Sequence, residues 1–205
     1  MTDDANTSAT PGSVAVVVPV KSFELAKTRL ADSLPAADRR SLAREMATSV
    51  VTAARPLPTW VVCHDHDIAR WAMDLGAHVY WRSQTGLTES VSAAVEALAG
   101  IGVATVIVAH GDLPLARSLA WVADHDGVTI VRDRRGEGTN VLAVPTGVGF
   151  RFAYGEGSAE RHAAEAERLG LPVRLIDDEA LGWDVDVADD LAVFTADDDG
   201  KLTLR

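Results

Sequence analysis

The chain has little sulfur, little lysine and no long apolar run. Its single cysteine, Cys63, has no partner for an internal disulfide, which excludes a disulfide-stapled fold and suits a reducing cytoplasm. No apolar stretch approaches a membrane span; "VAVVVPV" at 14–20 is seven residues long. Positive charge is scarce, with 19 Lys and Arg against 30 Asp and Glu and a net charge of -11. That balance argues against a nucleic-acid partner or an anionic membrane surface, both of which reward basic patches. Of the cations 16 are arginine and 3 lysine, the bias of a GC-rich bacterial genome. The opening "MTDDANTSATPGS" lacks the basic start and apolar middle of a signal peptide, and it reads as a flexible tail over 1–13.

The 205 residues, 47% of them hydrophobic, are enough for one domain over 14–205 with a substantial core. Short β-branched runs alternate with helical patterns. Residues 14–20, 59–63, 78–81, 105–110 and 128–133 read as strands covered on both faces. Helical spacing marks 36–54, 66–75 and 88–100, the last with Thr88 as a cap and Gly100 as a stop. A further helix is expected in "LARSLAWVADH", and another over 158–170. "GTNVLAVP", "GFRFAY", "PVRLI" and "WDVDV" read as extended pieces, and "ADDLAVF" starts a last short helix. The rhythm predicts an α/β fold with a mostly parallel central sheet flanked by helices. Ligands in such sheets bind beyond the carboxyl ends of the strands.

Four polar segments fall at such ends. "VPVKSFELAKTRL" carries Lys21, Lys27 and Arg29, which suit a triphosphate or are solvated loop charges. The segment lacks the glycines of a phosphate loop or a dinucleotide fingerprint. "VAHGDLPL" places Asp112 after a strand, with Gly111 allowing an unusual backbone angle before it. That aspartate suits Mg²⁺ or caps the next helix. "GEGTN", with Thr139 and Asn140 as donors, and "YGEGSAERH", with Gly155, Gly157 and Ser158 entering a helix, are glycine turns. Free N–H groups at that helix start would receive an anion, although a Ser there is also an ordinary cap.

The fourth segment is "GWDVDVADDL". Val185 and Val187 alternate with Asp184 and Asp186, which puts the two carboxylates on one strand face. Such a pair beside Asp112 would repel when empty and be stable around a divalent metal. Asp189 and Asp190 fit the first turn of the following helix. "CHDHD" at 63–67 resembles a metal cluster but reads as a helix start capped by Asp65 or Asp67.

Taken in order, "VPVKSFELAKTRL", "GDLPL", "GEGTNVL", "FRFAYGEGSAERHAAEAERLGL" and "WDVDVADDL" resemble the guanylyltransferases of coenzyme F-420 biosynthesis over about residues 14–194. The resemblance implies a compact Rossmann-like nucleotidyltransferase fold. It also implies a cytoplasmic enzyme that joins GTP to a small phosphorylated three-carbon acid and releases pyrophosphate. One or two Mg²⁺ would be held by Asp112, Asp184 and Asp186. Thr139, Gly155 and Ser158 would contact the acid, and Lys21, Lys27, Arg29 and Asn140 the nucleotide side. A downstream transferase would take the product, and the sequence leaves a homodimer open. The arginine bias points to an actinobacterial-type source and so to phosphoenolpyruvate, rather than 2-phospho-L-lactate or 3-phosphoglycerate. Glu156 and Ala159 depart from the proline and aromatic residue of many relatives, which touches the acid pocket. Two other readings are a sugar-phosphate or molybdopterin nucleotidyltransferase and a non-catalytic nucleotide binder on the same scaffold.

Overall fold

The computed structural model describes residues 13–82, 86–196 and 202–204, so residues 1–12 of the expected tail lie outside the described residues. Seven strands form the main sheet: β1 (Val14–Pro19), β2 (Thr59–Cys63), β3 (His78–Trp81), β4 (Thr105–Ala109), β5 (Val128–Arg132), β6 (Thr139–Pro145) and β7 (Val173–Ile176). Their spatial order is β3-β2-β1-β4-β6-β5-β7. Only β6 in this sheet is antiparallel, pairing with β4 on one side and β5 on the other. A small antiparallel pair, β8 (Phe194–Ala196) and β9 (Leu202–Leu204), follows outside it.

Helices α1 (Ala36–Ala53), α2 (His66–Asp74), α3 (Leu87–Gly100) and α4 (Ser158–Arg168) cover the two faces. Alternation along β1 shows why both are needed. Val16 and Val18 pack with Val50 of α1 and Trp71 of α2, whereas Ala15 and Val17 pack with Val91 of α3. All four strand residues are fully buried. The strands therefore have no polar face to give to water.

The chain runs outward from β1 to β3, then returns to place β4 on the other side of β1. This reversal opens a crevice beyond the carboxyl ends of β1 and β4, where Lys21–Lys27 and Asp112 emerge. Because β6 runs the opposite way, its amino end, with Thr139 and Asn140, arrives at the same edge.

A third apolar cluster lies at that edge. Leu30 and Val185, both fully buried, meet Leu42 and Met46 of α1. Burying each such side chain contributes about 1.5–3 kcal/mol. This small core fastens the basic segment and the aspartate loop to one helix, which brings their charges together.

Several expected elements take another form. Residues 113–119 are not helical; a 3-10 turn at Ala120–Ala123 is all that forms. Leu113, Ala116, Leu119 and Val122 are buried at a spacing of three, which suits a 3-10 path and not an α-helix. The extended piece 149–154 joins no ladder, because its N–H groups bond to side chains: Arg151 to Glu165, Ala153 to His162 and Tyr154 to Thr88. Thr88 accordingly accepts this bond while Gly86 precedes the helix. Residues 183–187 are extended but also unpaired as a strand. Gly111 does not adopt the left-handed backbone expected of it among the described glycines; a Cβ there would meet Val20 at an ordinary 3.5 Å. Asp65 caps α2 as expected, accepting the N–H groups of Asp67 and Ile68 at 2.8 and 3.2 Å.

Candidate active site

A cavity of about 540 Å³ opens beyond the ends of β1, β2 and β4, bordered by Lys21, Lys27, Cys63, Arg82, His110 and Asp112. Its volume falls within the range of nucleotide- and drug-sized pockets. At one wall the Lys27 ammonium donates to Asp112 Oδ2 at 2.7 Å and to Asp186 Oδ1 at 3.3 Å. Arg29 adds a bond to Asp186 Oδ2 at 3.2 Å, although its side chain is 73% exposed. Lys21 stays exposed on the cavity border.

Lys27 is the one non-glycine residue with positive φ among the described residues, at 55°. For an L-residue this conformation costs roughly 1–3 kcal/mol and persists only where surroundings enforce it. Here the enforcement is electrostatic: the ammonium reaches two carboxylates and its side chain is only 11% exposed. Burial alone would lower its pKa, but Asp112 and then Asp186 outweigh this and raise it above the ordinary lysine value. Burial likewise pushes the Asp112 carboxyl up, and Lys27 and His110 outweigh it and hold the pKa below the usual range.

Asp112 caps no helix, since none follows it. Its Oδ1 is buried without a hydrogen-bond partner. Asp184 is also buried, and its nearest donor, Asn140 Nδ2, stands at 3.5 Å. Burial, then the charges of Asp112 and Asp186, raise its pKa. Asn140 thus faces Asp184 and the Leu181 carbonyl, bracing the aspartate loop from beneath. Among the described residues no three acidic, His or Cys side chains gather as a metal-holding group. The lysine lies between two of the aspartates instead.

The aspartate loop has an anchor that sequence reading placed only at a helix start. Asp190 is fully buried, and its Oδ2 accepts the N–H groups of Asp186 and Val187 at 2.7 and 2.8 Å. Arg134 pairs with its other oxygen and lies over the Trp183 ring at 4.6 Å. Trp183 Nε1 in turn donates to the Asp190 carbonyl at 3.0 Å. The helix itself is only a 3-10 turn, Ala188–Val193. Asp190 therefore holds the loop that carries Asp184 and Asp186, a role visible in sequence only as an acid four residues after one of them.

The two glycine turns meet each other beyond His110, whose ring lies 5.3 Å from that of Tyr154, and neither turn borders the cavity itself. The Ala159 N–H donates to the Glu137 carbonyl at 3.1 Å, and the Ser158 N–H to that of Gly155 at 3.0 Å. Gly157, with φ 67°, precedes α4 in a left-handed conformation that favours glycine. The expected set of free N–H groups is consequently reduced, because two first-turn donors are already bonded. Ser158 itself is buried and caps nothing. Arg161 donates to the Ala153 and Glu156 carbonyls, placing a cation under the turn. Thr139 and His162 are buried together, with Oγ1 and Nδ1 at 3.0 Å. His162 carried no signal in the sequence beyond its helical spacing from Ser158 and Ala159.

A family model described as "Guanylyl transferase CofC like" matches residues 14–204. A phosphoenolpyruvate guanylyltransferase of Chloroflexus aggregans is 31% identical over 196 residues, covering 89% of this chain and 97% of its own. One from Nocardia farcinica is 35% identical over 195 residues, covering 88% and 84%. In fold, the chain is similar to a crystal structure from Desulfovibrio desulfuricans G20 described as a nucleotide-diphospho-sugar transferase. The TM-score is 0.70 and the identity 16%, with 89% of this chain and 86% of that one covered.

Proposed function

Because the chain belongs to the CofC-like guanylyl transferase family, we propose that it joins GTP to phosphoenolpyruvate in the cytoplasm. The products would be enolpyruvoyl-2-diphospho-5'-guanosine, a precursor in coenzyme F-420 biosynthesis, and pyrophosphate. The observation that carries this reading is the cation between Asp112 and Asp186 at the wall of a cavity of about 540 Å³. A strained lysine has been drawn into a carboxylate cluster that still leaves Asp112 Oδ1 unpartnered and Asp184 poorly compensated. Such a donor set fits a hard divalent cation, which takes carboxylate oxygens.

Asp112, Asp184 and Asp186 would hold Mg²⁺, as one or two ions. When bound there, it would withdraw charge from the α-phosphorus and neutralise the departing pyrophosphate. The chain's own residues do the positioning. Lys21, Lys27 and Arg29 balance triphosphate charge, while Asn140 keeps Asp184 oriented. Thr139, Gly155 and Ser158 orient the acid, with Arg161 supplying positive charge beneath it. A phosphate oxygen of the acid attacks the α-phosphorus as its bond to the β-phosphate bridge breaks. That oxygen is already ionised at neutral pH, so catalysis needs orientation and charge balance and no protein base.

The test is pyrophosphate release from GTP with Mg²⁺, offering phosphoenolpyruvate, 2-phospho-L-lactate and 3-phosphoglycerate in parallel. A downstream transferase with its deazaflavin acceptor would trap unstable product. Turnover with phosphoenolpyruvate supports the reading, and turnover with another of the acids alone replaces the substrate. Silence with all three, from folded protein, overturns it.

A further inference from the structure

Resting on the reading of Thr139 as an acid contact, we infer that His162 is a positioning residue. It is held in the Nδ1–H tautomer, and this makes the Thr139 hydroxyl an obligate donor to the anionic substrate. The argument starts from the other ring nitrogen. The Ala153 backbone N–H donates to His162 Nε2 at 2.9 Å. An amide N–H has a proton to give and no lone pair to offer, so Nε2 must present its lone pair. A neutral imidazole carries one N–H, and that proton therefore resides on Nδ1.

Nδ1 lies 3.0 Å from Thr139 Oγ1, so the ring donates to the hydroxyl. Threonine is thereby deprived of the ring as an acceptor and keeps its own proton to place elsewhere. Among the described residues no other partner takes it. A substrate bearing a carboxylate and a phosphate offers only acceptor oxygens at neutral pH, which matches a hydroxyl forced to donate. The opposite tautomer would accept from Thr139 and turn the hydroxyl's lone pairs toward an anion, which is repulsive.

The surroundings keep the ring neutral. Its side chain is fully buried, with the rings of Tyr154, Phe150 and Phe152 at 4.9, 5.9 and 6.4 Å. Burial first, then the charges of Arg161 and His110, lower its pKa to about 4. The same histidine ties α4 to β6 and to the segment before the glycine turn, so three acid-side elements share one ring.

The tautomer can be read without substrate, by long-range ¹H–¹⁵N NMR of the full chain between pH 5.5 and 8. The chain has only 6 histidines, and His162→Asn assigns the signal by its loss. The expected pattern is a neutral ring protonated at Nδ1; an Nε2–H ring or an imidazolium overturns the inference whatever the substrate is. Kinetics tests the second half. Thr139→Val and His162→Gln remove the donor chain and should raise KM for the acid about tenfold or more, with KM for GTP nearly unchanged. Thr139→Ser and His162→Asn, whose amide can take the Nδ1–H position, should recover part of that loss. An unchanged acid KM in Thr139→Val overturns the donor role. Absence of turnover in the wild type, with the ring in its Nδ1–H form, sinks the acid reading and leaves the tautomer standing.

Discussion

The two walls of the site handle polar groups in opposite ways. On the aspartate side, charges are gathered and left under-satisfied. Asp112 Oδ1 has no partner, Asp184 is buried at a raised pKa, and Lys27 adopts a left-handed backbone to reach two carboxylates. On the wall proposed to meet the acid, the buried side chains are uncharged and bonded, and the one cation, Arg161, is held by backbone carbonyls. His162 uses both nitrogens, and Ser158 and Ala159 have donated their N–H groups. If the aspartates hold a cation as proposed, the first wall would lower stability without it and gain it back on binding. The second is a finished surface with one proton to offer. On the proposed reading, the contrast teaches that unsatisfied charge marks where substrate-linked charge would be compensated, whereas satisfied polar packing marks where a small anion would be aligned.

The largest expected break in this contrast comes from Asp112→Asn. It removes the carboxylate that faces both the lysine and the cavity, and it changes little in shape. Loss of one metal-side carboxylate is expected to cost several kcal/mol of transition-state stabilisation, about 1,000-fold or more in kcat. Thermal unfolding of the metal-free protein should shift only slightly, because the variant gives up a repulsive neighbour of Asp184 together with the Lys27 bond. Steady-state pyrophosphate release beside a melting curve checks both parts. A kcat within tenfold of wild type would remove Asp112 from the chemistry.

A smaller effect separates Lys27 as a stand-in cation from Lys27 as a fixed part of the wall. Lys27→Met keeps the apolar stem and deletes the ammonium. If divalent metal takes the place between Asp112 and Asp186, its competitor has gone. Mn²⁺ should then bind the nucleotide-free chain about tenfold tighter, the change expected from losing one partly screened charge near 4 Å. Calorimetric titration without nucleotide reads this directly. Weaker or unchanged binding would mean that metal is held elsewhere.

Much of this arrangement was legible in the sequence, and the limits have physical causes. Continuous β-branched runs marked the buried strands, because a strand covered on both faces has no polar period to confuse it. The polar segments after those strands marked the crevice, since chain reversal at the centre of a doubly wound sheet leaves only strand ends exposed there. Period-two alternation was misleading at 183–187. Val185 is buried and Val187 is 37% exposed, and the N–H groups of 186 and 187 bond to Asp190 instead of a neighbouring strand. Helical spacing was misleading at 113–123, where burial recurs every three residues. Asp190 and His162 were hidden for another reason. Their roles depend on partners 56 and 23 residues away, Arg134 and Thr139, and no local period carries that information.

The smallest and sharpest test concerns stability alone. The folded-state pKa of Asp184 is raised, by burial first and then by Asp112 and Asp186. A carboxyl whose pKa is higher in the folded than the unfolded chain favours folding while protonated. That contribution is present below the unfolded value of about 3.9 and is lost as pH rises through the folded value. At neutral pH the ionised Asp184 therefore costs stability in the metal-free protein. Asp184→Asn removes the charge while keeping the shape and should raise the unfolding midpoint at pH 7. The expected gain is about 2–4 °C, the shift that roughly 1 kcal/mol produces in a chain of this size. The gain should shrink as pH falls through the raised folded value and vanish below the unfolded value of about 3.9, where the wild-type carboxyl is neutral in both states. Saturating Mn²⁺ should reverse the order, because only the wild type can exchange a costly buried charge for a metal ligand. A variant less stable than wild type in metal-free buffer at pH 7 would show that Asp184 is already compensated, and the contrast between the two walls would fail at its centre.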